Sequence, residues 1–221
     1  MRLRRRAWLA HCSALLAGAT LAAPSPARAQ GQARSKRVLV VGDSLSAEYG
    51  LKRGSGWVAL LDARVQQQKV HATVVNASIS GDTTSGGRSR LPALLKLQQP
   101  DVVVIELGGN DALRGLPLDM TRANLAGMAR AANAAGAKVL VVGMQVPPNY
   151  GRKYGDDFAG LFAAVARAEG AALVPFLLKG VADAPQAQAE ALFQADRIHP
   201  KEAAHPLMLD NVWAVLAPML R

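Results

Sequence analysis

The stretch VLVVGDSLS at residues 38–46 decides the fold of this 221-residue chain. Its four leading aliphatic residues do not alternate with polar ones, which is typical of a strand covered on both faces, as in parallel sheets. Gly42 then allows a sharp turn, and the polar segment after it would lie beyond the carboxyl end of the strand. The stretch therefore predicts a buried strand over residues 37–42 that carries Ser44 to one edge of a sheet.

Four further runs rich in aliphatic and β-branched residues follow, at residues 72–76, 102–107, 138–143 and 172–174. Stretches of helical character lie between the runs, among them residues 57–68, 121–135 and 158–168, and a last helix is predicted over residues 203–220. Strands that alternate with helices imply a parallel sheet with right-handed crossovers. The sequence thus predicts an α/β fold with a central parallel five-stranded sheet, in a chain of one domain.

Residues 1–29 have the pattern of a secretory signal peptide. Four arginines lie within the first six residues, an apolar stretch follows, and Ala-Arg-Ala at residues 27–29 has the small-x-small pattern that precedes cleavage. A retained membrane anchor is the weaker alternative, because the apolar run is shorter than about 20 residues and is interrupted by Pro24 and Pro26. We expect an exported protein, periplasmic or secreted, with a single mature domain at residues 30–221.

Half of the formal charge of +10 belongs to this leader, since residues 1–29 contain five arginines and no acidic residue. The mature chain carries +5 and has no basic stripe interleaved with aromatic residues, so we expect no nucleic-acid partner. The one cysteine of the full sequence, Cys12, also lies in the leader. The mature chain would therefore have no thiol chemistry and no cysteine metal site. We expect a monomer without stable membrane insertion once the leader is removed.

Three of the predicted strands are followed by polar segments rich in glycine. Ser44, at the tip of the first strand, could act as a nucleophile or could simply cap the next helix. Gly81, after the second strand, could bring a backbone N–H close to a ligand, although Gly-Asp is also a common turn. Asn110, in the GGND segment at residues 108–111, presents a neutral amide donor suited to an oxyanion, or forms an ordinary turn.

The segment DRIHP at residues 196–200 places a carboxylate and an imidazole three residues apart. In one tight turn, Asp196 would hold the His199 ring in one tautomer and stabilise the imidazolium. Taken alone, such a pair is also compatible with a structural role or with half of a metal site. Together with Ser44 it supplies a nucleophile and a base, whereas the absence of a G-x-S-x-G motif excludes the common α/β-hydrolase interpretation.

These segments resemble the conserved blocks of the SGNH, or GDSL, hydrolase family. The resemblance runs from about residue 37 to the C-terminus and is strongest with the bacterial periplasmic acyl-CoA thioesterase I, protease I, lysophospholipase and arylesterase subfamily, through GDSLSAEYG, NASISGDTTSGG, ELGGNDALRG, VPPNYGRKY and DRIHP. It implies the flavodoxin-like three-layer α/β/α sandwich of that family. It also implies that Ser44 is the nucleophile, His199 the general base and Asp196 the residue that orients the histidine.

The same resemblance implies an oxyanion hole formed by the backbone N–H groups of Ser44 and Gly81 and the side chain of Asn110, with no cofactor and no metal. It further implies that the acyl chain lies along the loop that follows the GGND segment, although its leucines could instead only anchor the loop to the core. The expected substrate-binding residues are Leu113, Leu116, Pro117, Pro147 and Tyr150.

The substrate implied is a small acyl ester or thioester, with lysophospholipid as a candidate because acyl-CoA is a cytosolic metabolite and this chain is expected to be exported. A carbohydrate acetylesterase on the same fold is the alternative within enzymes. A metal-dependent phosphodiesterase and a catalytically inactive lipid-binding module are less favoured. The phosphodiesterase would have to use Asp43, Asp82, Asp111, Asp196 and His199.

Overall fold

Five parallel strands form the central sheet that the sequence predicts, in the order β2-β1-β3-β4-β5. The computed structural model describes residues 34–221, so the predicted leader lies outside the described residues. The strands are β1 (Lys36–Gly42), β2 (Ala72–Asn76), β3 (Val102–Glu106), β4 (Lys138–Val142) and β5 (Ala172–Val174). Each begins and ends within one residue of its predicted bounds, which confirms the five-stranded parallel α/β fold.

Helices cover both faces of this sheet and complete a three-layer sandwich. They are α1 (Trp57–Gln67), α2 (Thr84–Gln98), α3 (Gly109–Leu113), α4 (Leu118–Ala134), α5 (Arg152–Ala168), α6 (Gln186–Leu192) and α7 (His205–Met219). Helices α1 and α7 pack against each other in one layer, while α4 packs against both α2 and α5 in the other. None of the helices within residues 34–221 combines the length and the apolar character needed to cross a membrane.

Two helices and one loop differ from what the sequence pattern indicates. Helix α2 was not among the predicted helices, because Gly86, Gly87 and Pro92 interrupt the pattern of good helix formers. Helix α5 begins at Arg152, six residues before the predicted start. The segment with Asp196 and His199 follows α6 and precedes α7, so it does not come directly after a strand as the other polar segments do.

The core lies on both sides of β1 and β3, whose central residues are fully buried. From β1 the chain crosses by α1 to β2 on one side, whereas β3 pairs with the other side of β1 and continues away from it through β4. Such a reversal opens a crevice at the carboxyl ends of the two central strands, where open α/β sheets bind their ligands. Ser44 and Asn110 follow the strands that flank this crevice.

Candidate active site

Ser44, His199 and Asp196 are joined by two hydrogen bonds. Ser44 Oγ lies 2.9 Å from His199 Nε2, and His199 Nδ1 lies 2.7 Å from Asp196 Oδ2. Because a carboxylate can only accept, Nδ1 carries the proton and Nε2 is left to accept from the serine hydroxyl. This arrangement can remove the hydroxyl proton as the oxygen attacks a carbonyl carbon, and can stabilise the imidazolium that results.

Two backbone N–H groups of the loop fix the position of the Asp196 carboxylate. Asp196 Oδ1 accepts hydrogen bonds from the N–H groups of Ile198 and His199, at 2.9 and 3.0 Å. Partial desolvation acts to raise the pKa of Asp196, but the hydrogen bonds from the backbone and ring of His199 and from Ile198 outweigh it and lower that pKa to about 2. The carboxylate is therefore ionised, as its contact with the ring N–H requires.

Ser44 lies in the turn that follows β1, next to an aromatic neighbour of the histidine. The Asp43 carbonyl accepts from the N–H groups of Ser46 and Ala47, which curls the chain around Ser44. The Tyr49 ring packs against the His199 ring with 4.3 Å between centroids. Within residues 34–221 the Ser44 N–H has no hydrogen-bond acceptor, so this donor is available to a ligand.

Gly81 occupies the third position of a turn over residues 79–82, closed by a 3.1 Å bond from the Asp82 N–H to the Ile79 carbonyl. Its φ of +79° is the value that a type II turn requires there, which a side chain would strain. Arg114 donates to the Gly81 carbonyl at 2.7 Å. In the described part of the chain the Gly81 N–H, like that of Ser44, finds no acceptor.

Asn110 lies in the first turn of α3 and links the two other candidate oxyanion donors. Its Nδ2 donates to Asp43 Oδ2 at 3.1 Å and to the Asp82 carbonyl at 3.0 Å, so it bridges the neighbours of Ser44 and of Gly81. The structure therefore brings the predicted oxyanion residues together. Both amide hydrogens already have acceptors inside the protein, so an oxyanion would have to share one of them.

A buried pair of carboxyl groups, Asp43 and Glu106, lies directly behind this site. Glu106 Oε2 accepts from Ser46 Oγ at 2.6 Å, and Ser46 Oγ in turn accepts from Trp57 Nε1 at 3.2 Å. Burial raises the pKa of Asp43 to about 6, against the lowering effect of its hydrogen bonds to Leu45 and Asn110. Burial, together with the charge of Asp43, raises the pKa of Glu106 well above its usual value.

The five residues expected to bind the acyl chain lie on two loops at the carboxyl end of the sheet. Leu113 ends α3 and is half exposed, and Leu116 and Pro117 form the connection to α4. Pro147 and Tyr150 belong to the loop after β4, where the Tyr150 ring stacks on Tyr154 at 5.8 Å. The assignment of these five residues to substrate binding stays a prediction.

The carboxylates that a phosphodiesterase would use have separate partners. Asp82 pairs with Arg90 at 2.8 Å, and Asp111 accepts from Thr84 and Thr121 in the core. In the part of the chain that the structure describes, no three His, Cys, Asp or Glu residues are grouped as metal ligands would be.

Sequence reasoning assigned no role to Glu106, Arg114 or Tyr49, although all three border the site. A glutamate at the end of an otherwise aliphatic strand was the one available signal for Glu106. The contacts of Arg114 and Tyr49 depend on residues 33 and 150 positions away along the chain. Only the folded backbone brings such residues together.

Three comparisons with known proteins agree with this geometry. A model of the GDSL-like lipase/acylhydrolase family matches residues 40–207. The chain is 52% identical over 189 residues to Esterase TesA of Pseudomonas aeruginosa, covering 86% of this chain and 92% of that protein. It is 39% identical over 188 residues to thioesterase 1/protease 1/lysophospholipase L1 of Escherichia coli strain K12, covering 85% and 86%. A crystal structure of TesA, 52% identical, superposes with a TM-score of 0.79 over 83% of this chain and 99% of that one.

Proposed function

This chain belongs to the GDSL-like lipase/acylhydrolase family and is an ester hydrolase, and we propose that it is an exported serine enzyme that cleaves fatty acyl esters and thioesters. The observation that carries the proposal is the pair of hydrogen bonds from Ser44 to His199 and from His199 to Asp196. No cofactor takes part in the reaction. The thioester part rests on the named activity of the E. coli relative.

The reaction proceeds in two acyl transfers. His199 Nε2 takes the Ser44 proton as Oγ attacks the carbonyl carbon, and the resulting imidazolium is stabilised by Asp196. The tetrahedral oxyanion is held by the N–H groups of Ser44 and Gly81, with Asn110 Nδ2 as third donor. His199 then gives the proton to the departing alcohol or thiol. Water, deprotonated by the same histidine, attacks the acyl-enzyme, and the imidazolium returns that proton to Ser44 Oγ as the acid is released.

A fluorophosphonate probe tests this assignment directly, because it reacts with a serine activated by a neighbouring base. We expect the mature protein to be labelled at Ser44 and the Ser44→Ala variant to lose both labelling and turnover. Ser46→Ala is the matched control, since the Ser46 hydroxyl lies two residues away but is turned towards Glu106. Labelling that persists in Ser44→Ala would contradict the proposal.

The acyl group is proposed to be a fatty chain because partly exposed apolar side chains occur near the proposed catalytic residues. Tyr49, Ile79, Leu113 and Ile198 are each between 44% and 53% exposed, and each is close in sequence or in space to a proposed catalytic residue. A site for acetyl groups on carbohydrate would instead favour polar side chains at these positions. Lysophospholipids combine a single acyl chain with an extracytoplasmic location, which makes them suitable substrates for an exported enzyme.

Truncating Leu116 tests where the acyl chain lies. We expect Leu116→Ala to lower the ratio of octanoyl to acetyl ester kcat/KM by about 5- to 150-fold, since losing most of a leucine contact costs roughly 1–3 kcal/mol. Leu97→Ala is the comparison variant, because Leu97 lines a different apolar cavity of about 390 Å³ beside Ile79. A change in the ratio for Leu97→Ala alone would move the acyl site to that cavity.

Export is proposed from the pattern of residues 1–29, and the mature protein is proposed to be a periplasmic or secreted monomer. Mass spectrometry of the protein recovered from the periplasm or medium should give a chain that begins at Gln30. A full-length chain retained in the cytoplasm would refute this part of the proposal without affecting the proposed chemistry.

A further inference from the structure

The side-chain amide of Gln194 joins the two segments that carry Ser44 and His199. Its Nε2 donates to the Tyr49 carbonyl at 3.0 Å and to the Pro200 carbonyl at 3.1 Å. Its backbone N–H donates to the His199 carbonyl at 2.8 Å. Two carbonyl acceptors fix the orientation of the amide, because only the nitrogen end can donate to both.

Both acceptors of this amide lie next to reacting groups. Pro200 directly follows His199. The N–H of Tyr49 lies 3.4 Å from the carbonyl of Ser44, so Tyr49 belongs to the turn that carries Ser44, here called the nucleophile turn (residues 43–49). The Tyr49 ring also packs against the His199 ring. One side chain therefore sets how far the turn that bears the nucleophile is from the loop that bears the base.

The backbone around Gln194 is built to receive this side chain. A Cβ at Gly50 would come within 2.3 Å of Gln194 Oε1, and Gly50 has a φ of +69° that favours glycine. An antiparallel bridge between Phe193 and Pro200 closes the loop on the other side. The amide is thus confined between two backbone segments.

Two other hydrogen bonds link the same regions of the chain, but they involve residues farther from Ser44 than Tyr49 is. Glu202 accepts from the Lys52 N–H at 3.0 Å, and His205 accepts from the Trp57 N–H at 2.9 Å. On the side of the nucleophile, the contact made by Gln194 is the nearest of the three, because its acceptor Tyr49 lies five residues after Ser44, whereas Lys52 and Trp57 lie eight and thirteen residues after it.

We infer that Gln194 is a positioning residue, which keeps His199 Nε2 within hydrogen-bond reach of Ser44 Oγ. The inference rests on the proposed function, because it concerns the proton transfer between these two residues. A displacement of about 1 Å between reacting groups can cost roughly a hundredfold in rate. Loss of the amide donors should therefore reduce turnover without altering how the substrate binds.

Gln194→Met tests the inference, since methionine has nearly the same length and no amide donors. We expect kcat to fall by about 10- to 100-fold with KM changed less than threefold. The rate of inactivation by a fluorophosphonate should fall by a similar factor, because it depends on the same Ser44–His199 contact. If the wild-type protein is not labelled at Ser44, the proposed function fails; if it is labelled, the result for Gln194→Met judges this inference alone.

Asn211→Leu is the matched control. Asn211 Nδ2 also bridges two backbone carbonyls, those of Leu177 and Lys179, at 3.0 and 2.9 Å, but it joins α7 to the segment after β5. We expect this variant to lose thermal stability and to retain its kcat. A Gln194→Met variant whose kcat and inactivation rate stay within twofold of wild type would overturn the inference, as would an equal loss of kcat in Asn211→Leu.

Gln194→Glu provides a second measure that does not depend on the packing of methionine. Its carboxylate would face two carbonyl oxygens, so we expect a larger loss of kcat than in Gln194→Met. Protonation of that carboxyl restores one donor, so the kcat relative to wild type should recover as the pH falls towards the usual glutamate pKa of about 4.3. A relative kcat that does not change with pH would count against the inference.

Discussion

Asp43 precedes Ser44 in the chain and Asp196 accepts from the His199 ring, and the surroundings of these two aspartates give them opposite properties. The Asp196 side chain is 38% exposed and accepts two backbone N–H groups and the His199 ring, and its pKa is lowered to about 2. Asp43 is 2% exposed and faces the buried Glu106, and its pKa is raised to about 6. The partly exposed Asp196 therefore ionises at a lower pH than the buried Asp43 does.

This difference indicates that the two residues have different roles. A carboxylate that must stay charged beside an imidazolium needs hydrogen-bond donors more than it needs burial. Asp43 instead connects elements, since its carboxylate accepts from the Leu45 N–H and from Asn110 Nδ2. We therefore expect substitution of Asp196 to act mainly on turnover and substitution of Asp43 to act mainly on stability.

Asp196→Asn should have the largest effect. An amide nitrogen facing His199 Nδ1 would force the ring into the tautomer with its proton on Nε2, which can no longer accept from Ser44. We expect kcat to fall by about 10⁴-fold with little change in KM, by comparison with the general cost of a wrong tautomer in such triads. Steady-state kinetics on a soluble acyl ester measures this effect.

Asp210→Asn is the control for that substitution. Asp210 is also an exposed aspartate in an ion pair, with Arg64 at 2.6 Å, but it lies on α7 away from the histidine. Its kcat should be unchanged. A fall of less than tenfold in Asp196→Asn would mean that the carboxylate does not set the tautomer of His199.

Asn110→Ala should have the next largest effect, because the Asn110 side chain is itself a candidate oxyanion donor and also donates to the buried Asp43. Removing one oxyanion donor costs about 10²–10³ in kcat with KM nearly constant. Asn133→Ala is the matched control, since Asn133 Nδ2 donates to the Glu169 carbonyl at 2.8 Å on the surface. An effect of Asn110→Ala on KM alone would show that Asn110 binds the substrate and not the transition state.

The fold could be predicted from the sequence because its three central strands, β1, β3 and β4, are covered on both faces over most of their length. Runs such as residues 38–41 and 102–105 leave no alternative to a buried strand, and all five strands fell within one residue of their predicted ends. Helix α2 could not be recognised in the same way. Its N-cap Thr83, which accepts from the Gly86 N–H at 3.3 Å, and its packing against α4 compensate for two glycines and a proline.

The site could be predicted only where its residues are close in sequence. The Asp196–His199 pair lies within one turn, and the GDS and GGND segments each follow a strand. The bridge from Gln194 to Tyr49 spans 145 positions and the bond from Ser46 to Glu106 spans 60, so neither leaves a local pattern. Such contacts exist only after the sheet has brought the strand ends together.

Asp43→Asn should have the smallest effect, on stability and with a particular pH dependence. Burial raises the pKa of Asp43 from its ordinary value of 3.8 to about 6 in the folded chain, so the native state binds more protons than the unfolded state between these two pH values. The free energy of unfolding contributed by this group therefore falls as the pH rises from about 4 to 6. Above pH 6 the full cost is about 3 kcal/mol, since one unit of pKa corresponds to about 1.4 kcal/mol.

Removing the charge should remove that cost, so we expect Asp43→Asn to be more stable than wild type by up to about 3 kcal/mol above pH 6 and to lose this advantage near pH 4. The new amide would face the donor of Asn110, which makes the figure an upper bound. Asp111→Asn is the control, because Asp111 is equally buried but both of its oxygens accept from Thr84 or Thr121, so an amide nitrogen in place of one oxygen leaves at least one of those donors without an acceptor. That variant should be less stable than wild type. Urea unfolding at pH 4 and pH 8 measures both variants. Destabilisation by Asp43→Asn at pH 8 would mean that hydrogen bonding, and not burial, dominates at Asp43.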